Sequence, residues 1–211
     1  MRITGIDLAS VHSAICTIEV PDPKDWHDDP WEPKSWQIVE LDWIDVQEDT
    51  TAARIQAAHA FLHVVEEYKP ELTVIEDYTR QSKSFDSYNA AELGGMTRLL
   101  IWQAHHQMLF VAPMRLKQFL HNHDRTPIPK EAVMKAVAEF FGYTCLSSTR
   151  KHREDATDAF ALAQLGRAFY IYEKYPTIVK ASAAGAMCLW ANHKQRKVLV
   201  SLWEDRGKLR L

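Results

Sequence analysis

The chain has 211 residues, 46% of them hydrophobic, and a formal net charge of −3. That length and apolar content suit one domain with a real core, and no apolar run is long enough to span a membrane. The mild acidity argues against a uniformly basic nucleic-acid binder, but it is an average. Residues 20–50 hold ten acids and two bases, and the remainder holds 18 acids and 23 bases. Residues 111–211 carry 17 bases against nine acids. A basic C-terminal half is hidden under the overall balance.

In chain order, residues 2–9 and 12–20 read as two strands joined by a tight turn, with Gly5 and Asp7 near the end of the first. Residues 21–35 form an acidic loop with four prolines and seven charged residues. Trp26, Trp31 and Trp36 either pin that loop to the body or offer a partner surface. Residues 36–46 alternate well enough for a third strand. Thr50 or Thr51 caps a helix over 52–68, with Ile55, Ala58, Leu62 and Val65 as its expected buried stripe. His59 and His63 are four apart on it, but no third ligand follows in a zinc pattern, so they read as surface histidines. Residues 72–75 are a short buried strand ending at Glu76.

A polar stretch leads to a helix over about 86–106 that contains Gly94-Gly95. Each glycine weakens a helix by roughly 1 kcal/mol. Close approach of backbone to the sheet, or to a second protomer, would explain the pair. Residues 108–112 form another strand, and Pro113 opens a short helix containing Arg115, Lys117 and Gln118. After a polar loop, a helix is expected from Lys130 to Phe141, stopped by Gly142. A linker with Arg150, Lys151 and Arg153 leads into an acidic, alanine-rich helix from about 151.

A meander of three strands followed by α/β units predicts an α/β fold with a mixed five-stranded sheet flanked by helices. Residues 1–175 are read as the domain, and 176–211, with seven bases and two acids, as a basic and mostly helical appendage. Cys16, Cys145 and Cys188 form no CxxC pair and read as reduced packing residues. The opening residues lack leader character, so a cytoplasmic protein is expected.

Four acids carry the chemistry. Asp7 and Glu76 stand at the ends of strands that become neighbours if the first and fourth strands pair. Asp155 and Asp158 are three apart and share one helical face. The plain alternative is that these two are first-turn acids favoured by the macrodipole, Asp155 acting partly as a cap. His152, just upstream, reads either as a solvent-facing side chain or as a ligand or general base. Four converging carboxylates require countercharge, which Mg²⁺ or Mn²⁺ supplies, two ions together serving phosphodiester cleavage. Lys117, Lys130, Arg80 and Lys83 stand on loops or helix starts that suit phosphate contact.

On these residues the chain resembles the RuvC family of Holliday-junction resolvases, within the ribonuclease H-like superfamily. The resemblance covers residues 2 to about 170. Its motifs are Gly5-Ile6-Asp7, Val74-Ile75-Glu76, Leu93-Gly94, Leu116-Lys117-Gln118, Pro129-Lys130-Glu131 and Asp155-Ala-Thr-Asp158-Ala159. It implies a homodimeric, Mg²⁺-dependent endonuclease that nicks two opposed strands of a four-way junction and leaves 5′-phosphate and 3′-hydroxyl ends. It also implies an aromatic wedge at the junction centre, falling on Tyr78 or Phe85. The family's Asp-Pro-Gly is replaced by Asp7-Leu8-Ala9, and the acidic loop and tail have no match. These departures look like a divergent or viral branch, the compartment then being the host cytoplasm. Gly5-Ile6-Asp7-Leu8-Ala9-Ser10 is also similar to the first phosphate loop of the actin and sugar-kinase ATPases, though only seven glycines are present. A broader branch or flap nuclease, or a non-catalytic binder of branched DNA, are the other readings of the same residues.

Overall fold

The computed structural model describes residues 1–21, 36–77, 85–121 and 129–174. Tyr78, Arg80, Lys83, Trp26, Trp31, Cys188 and the tail 176–211 fall outside them, as does the Phe85 side chain. The described elements run β1 (Arg2–Asp7), β2 (His12–Glu19), β3 (Gln37–Asp45), α1 (Thr51–Tyr68), β4 (Leu72–Glu76), α2 (Phe85–Gln103), β5 (Met108–Val111), α3 (Pro113–His121), α4 (Lys130–Phe141) and α5 (Arg150–Lys174). The strands form one mixed sheet in the order β3-β2-β1-β4-β5. The first three are antiparallel, and β4 and β5 add in parallel. This is the predicted sheet.

Period-two alternation sorts the sheet's residues between two layers. Ile6, Ile15, Ile44 and Ile75 face α1 and α2, joined by Phe61, Val65 and Leu93. Ile3, Ala14, Cys16, Ile18 and Val74 face the other way, onto α5 with α3 and α4 around it. Alternation in β3 is imperfect for a reason. Ile18 pairs with Ile38 and Thr17 with Glu40, so Val39 is an extra residue in a bulge. The bulge lets Ile38, Leu41 and Trp43 all pack on the α5 side.

Helix α5 sits on β1 with almost no spacer. A Cβ at Gly5 would lie 2.5 Å from the Ala163 amide nitrogen and 3.0 Å from the Leu162 Cβ, and nearer still to the Ala159 carbonyl oxygen. At Gly166 a Cβ would come within 2.9 Å of Ile3 Cγ2 and closer to Val74. Small residues on both partners therefore let the backbones meet.

Three expectations change. The buried face of α1 comprises Arg54, Ala57, Ala58, Phe61, Val64 and Val65, whereas Ile55 is exposed. The stripe turns because Arg54 is drawn in by Asp49 (2.7 Å) and Glu92 (2.5 Å), the latter on α2. Gly95 meets nothing within 4 Å of an added Cβ, so contact with the sheet does not explain it. Helix α5 starts at Arg150, with the Thr149 hydroxyl accepting from the His152 amide. Asp155 therefore lies beyond the first turn and is no cap. Thr50 caps α1 and Gly142, at φ 71°, ends α4, both as predicted. Trp36 is pinned to the body, donating to the Phe141 carbonyl (3.0 Å) and packing edge-on to Phe160. Cys16 and Cys145 are buried free thiols.

Candidate active site

Asp7 ends β1 and Glu76 ends β4, one residue past the last registered pair of these parallel strands, Ile6 with Ile75. Both belong to the alternating set that faces α5. The side chains share a hydrogen bond. The end of β4 is held by Arg98 of α2, which donates to the Glu76 carbonyl (3.3 Å) and to Asp77 Oδ1 (2.9 Å) while lying over the Phe110 ring. Past Asp7, the Ser13 hydroxyl accepts from the Ala9 amide (3.0 Å) and donates to the Ala9 carbonyl (3.2 Å), closing the turn.

The close seat of α5 on Gly5 brings Asp155 and Asp158 over these two acids. Asp7 and Asp155 are buried, and Asp158 is partly so. The Lys130 ammonium, at the start of α4, lies 3.7 Å from Asp155 Oδ1, 3.6 Å from Asp158 Oδ2 and 3.7 Å from Glu154 Oε2. Arg150 secures that arrangement by pairing with Glu154 (2.6 Å) on its own helix and with Glu131 on α4.

Burial and mutual repulsion raise the proton affinities of this cluster. Burial, then the Glu76 charge and hydrogen bond, raise Asp7 well above the usual carboxylate range. Glu76 is pushed up to about 7 by burial and by Asp158, against the lowering effects of the Asp7 hydrogen bond, Lys130 and Lys117. Asp158 also rises to about 7, through burial and then Asp7. Asp155 is raised by burial, against Lys130, Lys151 and His12. Partial burial opposes the charge on Lys130, but Asp158, Asp7, Asp155 and Glu154 together raise its proton affinity. One ammonium is too little positive charge for the carboxylates around it.

The cluster fits hard divalent cations. Its donors are all oxygen, as Mg²⁺ and Mn²⁺ prefer. Asp155 Oδ2 is buried without a hydrogen-bond partner, an acceptor a cation would satisfy.

The structure thus unites the four sequence-predicted acids and adds Lys130 to them. Lys117, on α3, acts on Glu76 and Asp158 from nearby. Sequence reading missed Arg98, whose role depends on α2 crossing the end of β4. Of the two readings of His152, the solvent-facing one does not hold. The ring is half-buried, stacked on Trp43 at 5.2 Å and edge-on to His12 at 6.1 Å.

Sheet order and helix placement define a ribonuclease H-like α/β protein. No family model matches the sequence, and no curated protein matches it. Among solved structures, Thermus thermophilus RuvC in complex with a Holliday junction substrate aligns at TM-score 0.62 and 21% identity, covering 82% of this chain and 96% of that one. Thermus thermophilus RuvC in another structure aligns at 0.61 and 20%, covering 84% and 98%. The yeast mitochondrial Holliday junction resolvase aligns at 0.50 and 12%, covering 77% of each chain. These likenesses establish the fold and bear out, at that level, the RuvC resemblance of the sequence motifs.

Proposed function

We propose that the protein is a structure-specific endodeoxyribonuclease that resolves four-way DNA junctions by paired metal-dependent nicks, leaving 5′-phosphate and 3′-hydroxyl ends. The observation that carries this reading is the convergence of Asp7, Glu76, Asp155 and Asp158 from two strand ends and one helix. Bringing four carboxylates together, Asp7 and Asp155 buried and Glu76 and Asp158 half-buried, is costly and has no evident structural return. A site that binds cations explains the cost. Names of proteins that share the fold add support, one of them solved with a Holliday junction.

In this reading the four acids hold Mg²⁺, with Mn²⁺ as substitute. Two such ions, when bound, supply an activated water and stabilise the leaving oxygen. The raised proton affinities of Asp7 and Glu76 mean that cations compete with protons there, because a ligating carboxylate must be ionised. Lys130 offsets charge on Asp155 and Asp158, and with 46% of its side chain exposed it is also open to a phosphate. Lys117 flanks the same end of the sheet. Arg80, Lys83 and Tyr78, from the segment after Glu76, are assigned to the DNA side as well. The basic tail 176–211 is read as an appendage outside the nuclease domain.

Two symmetric nicks need two sites, and α2 offers a face for a second copy. Tyr88, Leu99 and Trp102 are 69%, 53% and 65% exposed. With Gly95 between them they follow a seven-four-three spacing along one side of the helix. Open space over Gly95 allows a partner helix to approach.

The test is a substrate panel with Mg²⁺: mobile and fixed four-way junctions, a Y-fork and a plain duplex. Paired ligatable nicks in the junctions, with duplex left intact, are expected. Equal cutting of the Y-fork would establish the broader branch nuclease instead. No metal-dependent nicking of any substrate would overturn the enzyme reading.

A further inference from the structure

We infer that His12, Asp45 and His152 form a second cation site, for one transition-metal ion with Zn²⁺ as the first choice, distinct in chemistry from the carboxylate cluster. One donor atom from each of the three lies within 4.8 Å of the others.

Each ligand stands on a regular element. His12 opens β2 and Asp45 closes β3, and the two are direct cross-strand partners. The Val46 amide donates to the Val11 carbonyl (2.8 Å) and clamps the strand ends together. His12 Nδ1 lies 2.7 Å from Asp45 Oδ1. His152 comes from the first turn of α5 and is set over this pair by Trp43. The indole stacks on the imidazole and donates from Nε1 to the His152 carbonyl (3.1 Å). Such support orients ligands before a metal arrives.

Donor type separates this site from its neighbour. Two imidazole nitrogens and one carboxylate oxygen suit Zn²⁺ and related ions, whereas an all-oxygen cluster suits Mg²⁺. Bonds of about 2.0–2.1 Å in a tetrahedron place donors roughly 3.3 Å apart. The present separations, from 2.7 Å to at most 4.8 Å, bracket that value, so small side-chain rotations suffice. All three side chains are partly exposed, which leaves a fourth position for water or a phosphate oxygen. The plain His12–Asp45 contact uses two of the residues, and the Trp43 stack holds the His152 imidazole beside them, so that a third donor is in reach. A bound ion would tie the β2–β3 end to α5 just before Asp155, and so brace the helix that carries two of the cluster's acids.

Zinc titration by calorimetry, paired with Co²⁺ absorption spectra, tests this on the full chain. One Zn²⁺ per chain is expected, with affinity falling about tenfold or more in His12→Ala and in His152→Ala. Asp7→Asn should leave it unchanged, as should His59→Ala. Circular dichroism checks folding, and His152→Asn serves if the alanine variant fails to fold. Zinc affinity unaltered in both the His12 and His152 variants would overturn the site. So would loss of zinc with Asp7→Asn or His59→Ala, or no binding tighter than about 100 μM by the wild type. None of these outcomes depends on DNA cleavage, so failure here and failure of the nuclease reading are separable.

Discussion

Gly5 lies against the backbone of Ala163, where a Cβ would stand 2.5 Å from the amide nitrogen. That approach sets the height of α5 above β1, and with it the distance of Asp155 and Asp158 from Asp7. Gly5→Ala should therefore destabilise the fold by about 1–3 kcal/mol, since two backbones cannot part cheaply. Nicking should fall further than stability explains. Denaturant unfolding alongside a cleavage assay checks this, and a wild-type midpoint would show that α5 has room to move.

Asp7→Asn, Glu76→Gln and Asp158→Asn should each abolish nicking while keeping the fold. An amide does not restore the missing ligand charge, and removing repulsion should leave stability equal or higher. Junction affinity should persist. Ca²⁺ should support binding without cleavage, because its looser coordination positions water poorly. A folded Asp7→Asn protein that nicks at the wild-type rate would show that the cluster is structural.

The raised proton affinities have a consequence for stability. Glu76 and Asp158 titrate near 7 when folded, against ordinary values of 4.5 and 3.8. Between those limits the folded state holds more protons than the unfolded chain. The associated stability is fully present below the unfolded values and is lost as pH rises through about 7. In EDTA, Tm should fall from about pH 5 to about pH 8. Mg²⁺ binds the ionised carboxylates, so it should raise Tm most at the upper end. A Tm that climbs with pH in EDTA would mean that the cluster is already ionised.

Lys117→Ala and Lys130→Ala should weaken junction binding. Where the lysine meets a phosphate directly, the salt slope should also drop by about one. Lys130→Ala should further push the proton affinities of Asp155 and Asp158 up, since its charge lowers both. Unchanged slopes in both variants would place the DNA elsewhere.

Leu99→Glu and Trp102→Glu should convert a dimer to monomers, because each puts a charge on the exposed α2 stripe. Light scattering of the wild type and both variants decides it. A wild-type monomer, free and junction-bound, would remove the dimer.

Much of the fold was legible in the sequence because local rules wrote it. Alternation marked the strands, Thr50 and Gly142 marked helix ends, and Asp7 and Glu76 stood at strand ends that meet once β1 pairs with β4. Those signals act within a few residues and survive without a tertiary structure. The stripe of α1 did not follow its local pattern, because Arg54 answers to Asp49 and to Glu92 of a different helix. The break in β3 became intelligible only with the Val39 bulge. Asp155 and Asp158 could pass for first-turn acids until α5 was seen to begin at Arg150. Its place at a helix start marked Lys130 for phosphate contact, and only the docking of α4 on α5 brought its ammonium within 3.7 Å of the carboxylates. His12, Asp45 and His152 carry no sequence spacing that joins them. Sheet pairing and a helix laid across it bring them together, and contacts that close over more than a hundred residues are decided by packing rather than by any local pattern.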